Sequence, residues 1–287
     1  MNPTFPCFVA LDSDGCVLDT MAAKQHGFLQ PMLADTFGLE GEARQIYFDC
    51  ADYVNLYSQT RGINRFGAIL RNFTEFNRHP RTLELGLPKL PTEALQAFVD
   101  SGLPPCSEGL ETWLKDHPDA DLEKLCDWSK RVNAEIVRSG KVFDAYEGAR
   151  TALKLMQGRC ETGIVSQSPE AVLREDWGRQ GLLGYVSHVA GQEVGLKVAQ
   201  LTALTDGRYP RSRVLMVGDA PGDLEAARTF GCRFFPILPG RENDSWARFA
   251  QDIFAQFEAD AYTTADEAAL IEAFAGVLPT VPPWSVR

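Results

Sequence analysis

Residues 8–20 read Phe8-Val9-Ala10-Leu11-Asp12-Ser13-Asp14-Gly15-Cys16-Val17-Leu18-Asp19-Thr20. The apolar run from Phe8 to Leu11 has the length of a fully buried strand. It stops at Asp12, and Asp14 follows two residues later. In an extended chain, residues two apart lie on the same side. Gly15 permits a backbone turn just beyond them. Two carboxylates are thereby held together at the tip of a buried strand, where open α/β sheets bind ligands. Such a pair repels unless a cation or a shared proton relieves it, and Mg²⁺ takes hard oxygen ligands. A plain turn accounts for the same residues, since Asp, Ser and Gly are common turn formers. The rest of the chain decides between the two.

From about residue 143 strands and helices alternate. A helix over Ala149 to Met156 precedes a short strand, Thr162 to Val165, that ends at Ser166. Pro169 suits the first turn of the next helix. Tyr185 to Ala190 is a candidate strand, and Lys197 to Thr205 a helix. Arg213 to Val217 is the strongest buried strand and ends at Gly218-Asp219. A helix from Pro221 to Phe230 stops at Gly231, and Arg233 to Leu238 is the last strand of the series. This alternation predicts a doubly wound α/β fold, a parallel sheet with helices on both faces. The first strand, 8–12, has to complete that sheet. Residues 1–20 and 143–287 then form the core domain, although the tail 239–287, mostly helical, has no evident job.

Residues 21–142 hold no convincing buried strand. Amphipathic patches fall at about 41–58, 65–76, 91–100, 107–115 and 120–138, separated by Gly- and Pro-rich turns. In the last patch Leu122, Leu125, Cys126, Trp128, Val132, Ile136 and Val137 share one face. Asp119 or Asp121 suits its N-cap, and Gly140 follows its end. Residues 21–142 therefore read as a mainly helical inserted domain.

The 287 residues carry a net charge of −11, with a pI of about 4.9. That argues against sequence-independent nucleic-acid binding, which relies on clustered Lys and Arg, and leaves solubility as the plain meaning of the charge. A small phosphorylated metabolite stays compatible, because a few local cations and a metal suffice for it. Seven cysteines, an odd number without Cys-x-x-Cys spacing, argue against a zinc site or a disulfide framework. They fit a reducing, cytoplasmic setting. Cys16, beside the two acids, is the one expected to be sensitive to oxidation. The N-terminal run lacks the basic start of a signal peptide, and no stretch approaches ~18 uninterrupted apolar residues, so no membrane span is expected.

Four stretches carry the chemistry. The Asp12-x-Asp14-Gly15 segment resembles the first motif of the haloacid dehalogenase-like hydrolases. Ser166, after the strand Gly163-Ile-Val165, resembles the second. Ser168, preceding Pro169, is the better helix cap of the two serines, which leaves Ser166 available. Lys197 resembles the third motif. A lysine at a helix start is electrostatically unhelpful there, so a functional use would compensate. The family often has Pro soon after this Lys, whereas here Val198-Ala199-Gln200 follow. Gly218-Asp219-Ala-Pro-Gly-Asp223 resembles the fourth motif. An acid in a first helical turn such as Asp223 is also favoured by the helix dipole alone. The order of the four, each at a strand tip or helix start, carries the resemblance over the whole core and the insertion point of a helical cap.

The resemblance implies an Mg²⁺-dependent phosphatase working through an aspartyl-phosphate. Asp12 is then the nucleophile, and Asp14 the acid and base. Ser166, Lys197 and the Gly15 turn hold the phosphoryl group. Asp12, Asp219 and the backbone carbonyl of Asp14 hold the metal, and Asp223 holds Lys197 or a metal-bound water. Members that cleave carbon–halogen bonds lack an acid at the position of Asp14, so dehalogenation is not expected. Caps in this family choose the substrate. Lys24 follows the first motif by one helical turn, and the loop Thr60-Arg61-Gly62-Ile63-Asn64-Arg65 resembles the specificity loop of capped members. Arg61 and Arg65 are thus either ligands for a second anionic group or solvated surface residues. Two alternatives stay open: a sugar-phosphate mutase of the same fold, and a non-catalytic receiver-like module phosphorylated on aspartate.

Overall fold

A computed structural model describes residues 5–285 of the chain. The chain divides into two compact units, one of Met1–Met21 with Val142–Leu278 and one of Ala22–Lys141 with Pro279–Arg287.

The first unit is built on five parallel strands: β1 (Phe8–Leu11), β2 (Glu161–Val165), β3 (His188–Ala190), β4 (Val214–Gly218) and β5 (Arg233–Pro236). Their order across the sheet is β3-β2-β1-β4-β5. The chain runs outward from β1 through β2 to β3, then returns to the other side of β1 for β4 and β5. The order therefore reverses between β1 and β4, and the crevice at their carboxyl ends is where such sheets bind ligands. Phe8 pairs with Glu161 on one side and Val214 on the other, so these three strands start level.

Helices are numbered along the chain. The insertion contributes α1 (Met21–Lys24), α2 (Gln30–Thr36), α3 (Gly41–Asn55), α4 (Arg65–Arg78), α5 (Pro80–Glu84), α6 (Glu93–Val99), α7 (Ser107–Leu114) and α8 (Ala120–Ser139). The first unit adds α9 (Glu147–Met156), α10 (Glu170–Arg179), α11 (Lys197–Thr205), α12 (Pro221–Phe230), α13 (Glu242–Arg248), α14 (Phe254–Glu258) and α15 (Thr264–Val277).

Strand side chains alternate between two cores, as a period of two requires. Val9, Leu11, Ile164, Leu215, Val217 and Phe235 pack with Leu153, Met156, Trp177, Trp246 and Phe254, from α9, α10, α13 and α14. Phe8, Ala10, Val165, Val214, Met216 and Phe234 pack with Leu201, Ala227, Phe230 and Phe274, from α11, α12 and α15. With both faces covered, a parallel sheet reads as continuous apolar runs in the sequence.

The second unit is helical, and among the described residues it contains no strand. Its interior is aromatic: Phe37 and Phe73 meet edge to face at 5.0 Å, and Phe66 and Phe98 at 5.6 Å. The Asp119 carboxylate accepts from Asp121 N and Leu122 N to start α8, and Gly140 at φ +59° ends it.

Between α1 and α2 the chain makes a π-helical turn, Gln25–Leu29. Elsewhere the structure departs locally from the sequence expectation. Tyr185 closes a 3₁₀ turn, Leu183–Tyr185, and β3 begins only at His188. The tail from Pro279 belongs to the second unit, not to the core with which the sequence groups it. Its anchor is Trp284, whose ring lies 5.5 Å from that of Tyr53 and 4.9 Å from that of His79.

Candidate functional site

Asp12 is the residue after β1, and its N–H still bonds Val217 O of β4, so the strand ladder holds it. Asp219 is the residue after β4. Both are buried, as is Asp223 on the first turn of α12. One carboxylate oxygen from each of the three lies within 4.8 Å of the others. Gly218 makes this approach possible, because a Cβ there would come within 2.3 Å of Asp223 Oδ2.

Lys197, the first residue of α11, reaches into the cluster. Its Nζ lies 2.8 Å from Asp12 Oδ1 and pairs with Asp223 Oδ1. Asp223 Oδ2 accepts from Ala220 N, which fixes the carboxylate at the start of α12. Burial disfavours the charge on Lys197, but Asp12 and Asp223 outweigh it and raise its pKa, so the ammonium persists. Burial also pushes the Asp12 carboxyl up. Lys197 opposes that, while Asp223 and Asp219 add to it, and the net direction is upward. Asp12 and Asp223 thus share the Lys197 ammonium, with the buried Asp219 carboxylate beside them.

The loop 13–20 is fastened from several sides. Gly15 takes φ +80°, which favours glycine, and its N–H bonds Leu18 O. Trp177 Nε1 donates to Ser13 Oγ at 2.9 Å, and Trp246 Nε1 to Cys16 O at 2.9 Å. Cys16 Sγ donates to Val217 O. Burial, reinforced by Asp219 and Asp12, pushes the Cys16 thiol well up. That corrects the expectation of an oxidation-prone Cys16, since oxidation needs an exposed thiolate.

Ser166 continues the β2 ladder through its N–H to Ala190 O, and its Oγ accepts from Ser168 N. Ser168 is not a helix cap as the sequence suggests. Pro169 occupies the N-cap of α10 with no side-chain bond, and Ser168 Oγ instead donates to Asp14 Oδ2 at 2.8 Å. A cap would have to turn toward the backbone of α10, and the carboxylate offers a stronger, charge-assisted acceptor. Sequence reasoning missed this role, although the Ser-x-Ser spacing after a buried strand was its visible trace. Nothing in the sequence marked Trp177 or Trp246 as anchors of the loop.

Asp12, Asp14, Gly15, Ser166, Lys197, Asp219 and Asp223 all lie in the first unit, at the carboxyl ends of β1, β2 and β4 or the starts of α11 and α12. Lys24, Arg61 and Arg65 lie in the second unit. Lys24 ends α1. Arg61 is buried and donates to Leu56 O at 2.9 Å, next to Gly62 at φ +76°. Arg65 begins α4 and donates to Ser129 Oγ and Asn133 Oδ1 at 2.8 Å each, with its guanidinium 5.6 Å from the Trp128 ring. Neither arginine is a solvated surface residue: both tie their own helices and loops together.

The donor set suits a hard divalent cation, since the cluster offers three carboxylates and no sulfur or imidazole. Carboxylates this close repel one another, and such an ion relieves that repulsion.

The family model described as haloacid dehalogenase-like hydrolase matches residues 81–237, more than half of the chain. The match includes Ser166, Lys197, Asp219 and Asp223 and begins after Asp12. No curated protein matches the chain. Among solved structures, a candidate phosphoglycolate phosphatase from Lactobacillus delbrueckii subsp. bulgaricus is 14% identical, with TM-score 0.51, over 90% of this chain and 99% of that one. A haloacid dehalogenase-like hydrolase from Streptococcus pneumoniae is 13% identical, with TM-score 0.47, over 88% and 98%. Among the described residues no helix is long and apolar enough to cross a membrane.

Proposed function

Because the chain belongs to the haloacid dehalogenase-like hydrolases, we propose that it is an Mg²⁺-dependent phosphatase acting on a small phosphorylated metabolite. The observation that carries this reading is the clustering of three buried carboxylates at the sheet switch point, with Lys197 paired to two of them. Asp12 and Asp219 would hold Mg²⁺ there, and the ion supplies charge neutralisation that lets an anionic phosphate approach an anionic nucleophile.

Asp12 attacks phosphorus and forms an aspartyl-phosphate, splitting one difficult step into two. Asp14 gives its proton to the leaving oxygen, then takes one from the attacking water. Ser168 holds Asp14 in place through the 2.8 Å bond. Ser166 Oγ already accepts one hydrogen bond, and its own hydroxyl proton is directed to a phosphoryl oxygen. Lys197 neutralises a second oxygen, while Asp223 keeps its ammonium from swinging onto Asp12 alone. Catalysis is then positioning plus charge neutralisation. A halide leaves without a proton, whereas an alkoxide needs one. An acid held at position 14 therefore favours a phosphate ester over a haloacid.

The test is p-nitrophenyl phosphate turnover. The wild type hydrolyses it with Mg²⁺, chelation stops it, and Asp12→Asn lowers the rate by ~10⁴-fold or more. No turnover with Mg²⁺ present would count against the phosphatase. Turnover that survives both chelation and Asp12→Asn would count against this site.

A further inference from the structure

Gln200 stands outside the residues given a chemical role, yet three segments of the site meet at its amide. It is the fourth residue of α11 and is wholly buried. Its Nε2 donates to Ser166 O at 2.8 Å, Gly191 O at 3.0 Å and Gly195 O at 2.9 Å. Ser166 sits at the tip of β2, Gly191 just beyond β3, and Gly195 in the turn that delivers Lys197. Two amide hydrogens serve three acceptors, so at least one bond is shared. The opposite amide orientation would set Oε1 against three carbonyl oxygens, which fixes the one observed. Oε1 itself accepts no hydrogen bond among the described residues. A buried acceptor left bare is costly, and the three bonds on the nitrogen are what the side chain gains for it.

The three carbonyls share that donor. Gly191 O also accepts from Val194 N at 3.1 Å and Gly195 O from Gln167 Nε2 at 3.3 Å, but only the Gln200 amide joins both of them to Ser166 O, whose neighbours would otherwise be two carbonyl oxygens of like polarity. The turn before Lys197 is closed by its own bonds, Val194 N to Gly191 O and Gly195 N to Gln192 O, but neither of these reaches the β2 tip. The backbone N–H of Gln200 is already used in α11, bonding Leu196 O. The side chain is therefore not needed to form the helix.

We propose that Gln200 is a positioning residue for phosphoryl binding, fastening the β2 tip and the Lys197 turn to one atom so that Ser166 and Lys197 hold a fixed separation. The inference rests on the reading of Ser166 and Lys197 as the phosphoryl-binding pair. Its role is distinct from theirs, since the Gln200 amide donates only to backbone carbonyls.

Gln200→Met keeps the length and unbranched shape and removes the donor. Gln200→Asn keeps the amide but shortens its reach by one methylene. Thr205→Val, on the same helix, removes only a hydroxyl bonded to Leu201 O and serves as a control for lost stability. The measurements are kcat and KM for p-nitrophenyl phosphate with Mg²⁺, and the inhibition constant of inorganic phosphate, all per folded molecule. For Gln200→Met, kcat/KM falls ~10²-fold, the loss expected when reacting groups drift by about an ångström. Its inhibition by inorganic phosphate weakens in parallel, and Gln200→Asn falls between it and wild type. Thr205→Val lowers the Tm and leaves all three constants unchanged.

Wild-type constants in folded Gln200→Met overturn the inference while the phosphatase reading stands. Should Gln200→Met fail to fold, wild-type constants in Gln200→Asn overturn it equally. A wild-type protein that neither turns over p-nitrophenyl phosphate nor is protected by inorganic phosphate against thermal unfolding overturns the phosphatase reading itself, and the inference with it.

Discussion

The two ends of one sheet carry buried charge of opposite character. At the amino ends, Glu161 opens β2 and is surrounded by donors. Arg208 Nη2 reaches both carboxylate oxygens, Tyr209 Oη donates to Oε2 at 2.6 Å, and His188 Nε2 meets Oε1. Burial would raise its pKa, but the bonds from Arg208, Tyr209 and His188 outweigh it and hold the carboxyl at about 2. At the carboxyl ends, Asp12, Asp219 and Asp223 crowd together, Lys197 pairs with Asp12 and Asp223, and Asp12 is driven upward. A balanced cluster stabilises the fold. An unbalanced one is stable only with help and so marks where a positively charged ligand belongs.

The largest expected effect of breaking the balanced end is on stability. Glu161→Gln strands Arg208 and is expected to cost about 3 kcal/mol, read by denaturant unfolding, with the activity per folded molecule unchanged. The folded-state pKa of Glu161 is depressed from 4.5 to about 2. Its contribution is therefore complete above pH 4.5 and is lost as pH falls toward 2. The gap between wild type and Glu161→Gln should close over that range, and a gap that stays constant would show that the carboxylate charge is not what matters.

Next in size is the response of the unbalanced end to Mg²⁺. At ~100 times its Kd the ion should stabilise the wild type by about 2.7 kcal/mol, with Asp219→Asn losing most of that gain. Equal stabilisation of both proteins would place the ion elsewhere. Smallest is the effect of Asp12→Asn on stability without metal. Removing a buried charge opposed by two neighbouring carboxylates leaves the Tm unchanged or raised, whereas the same kind of change at Glu161 lowers it. A clear fall in Tm for Asp12→Asn would mean that the two ends are balanced alike.

The contrast was half legible in the sequence. Asp12 and Asp219 each follow an apolar strand, so strand periodicity alone put them at strand tips, and the helical insertion showed in its amphipathic patches. Glu161 gave no signal: an acid at a strand entrance reads as solvated until Arg208, Tyr209 and His188 converge on it from elsewhere in the chain. Ser168 was misread because local capping geometry competes with a carboxylate that only tertiary structure brings near. Gln200 entered the sequence reading only as one of the residues that follow Lys197 where the family often has Pro. Its three acceptors come from three loops, and no spacing rule links them.

The most direct test of the unbalanced end as a phosphoryl-transfer site is acid-quench trapping. Protein mixed with a phosphate monoester and Mg²⁺ is stopped in acid during turnover and mapped by peptide mass spectrometry. The account predicts a phosphoryl group on the peptide containing Asp12, lost on treatment with hydroxylamine and absent from Asp12→Asn. Release of inorganic phosphate at full rate, with Asp12 never labelled and the label instead on another residue, would contradict it.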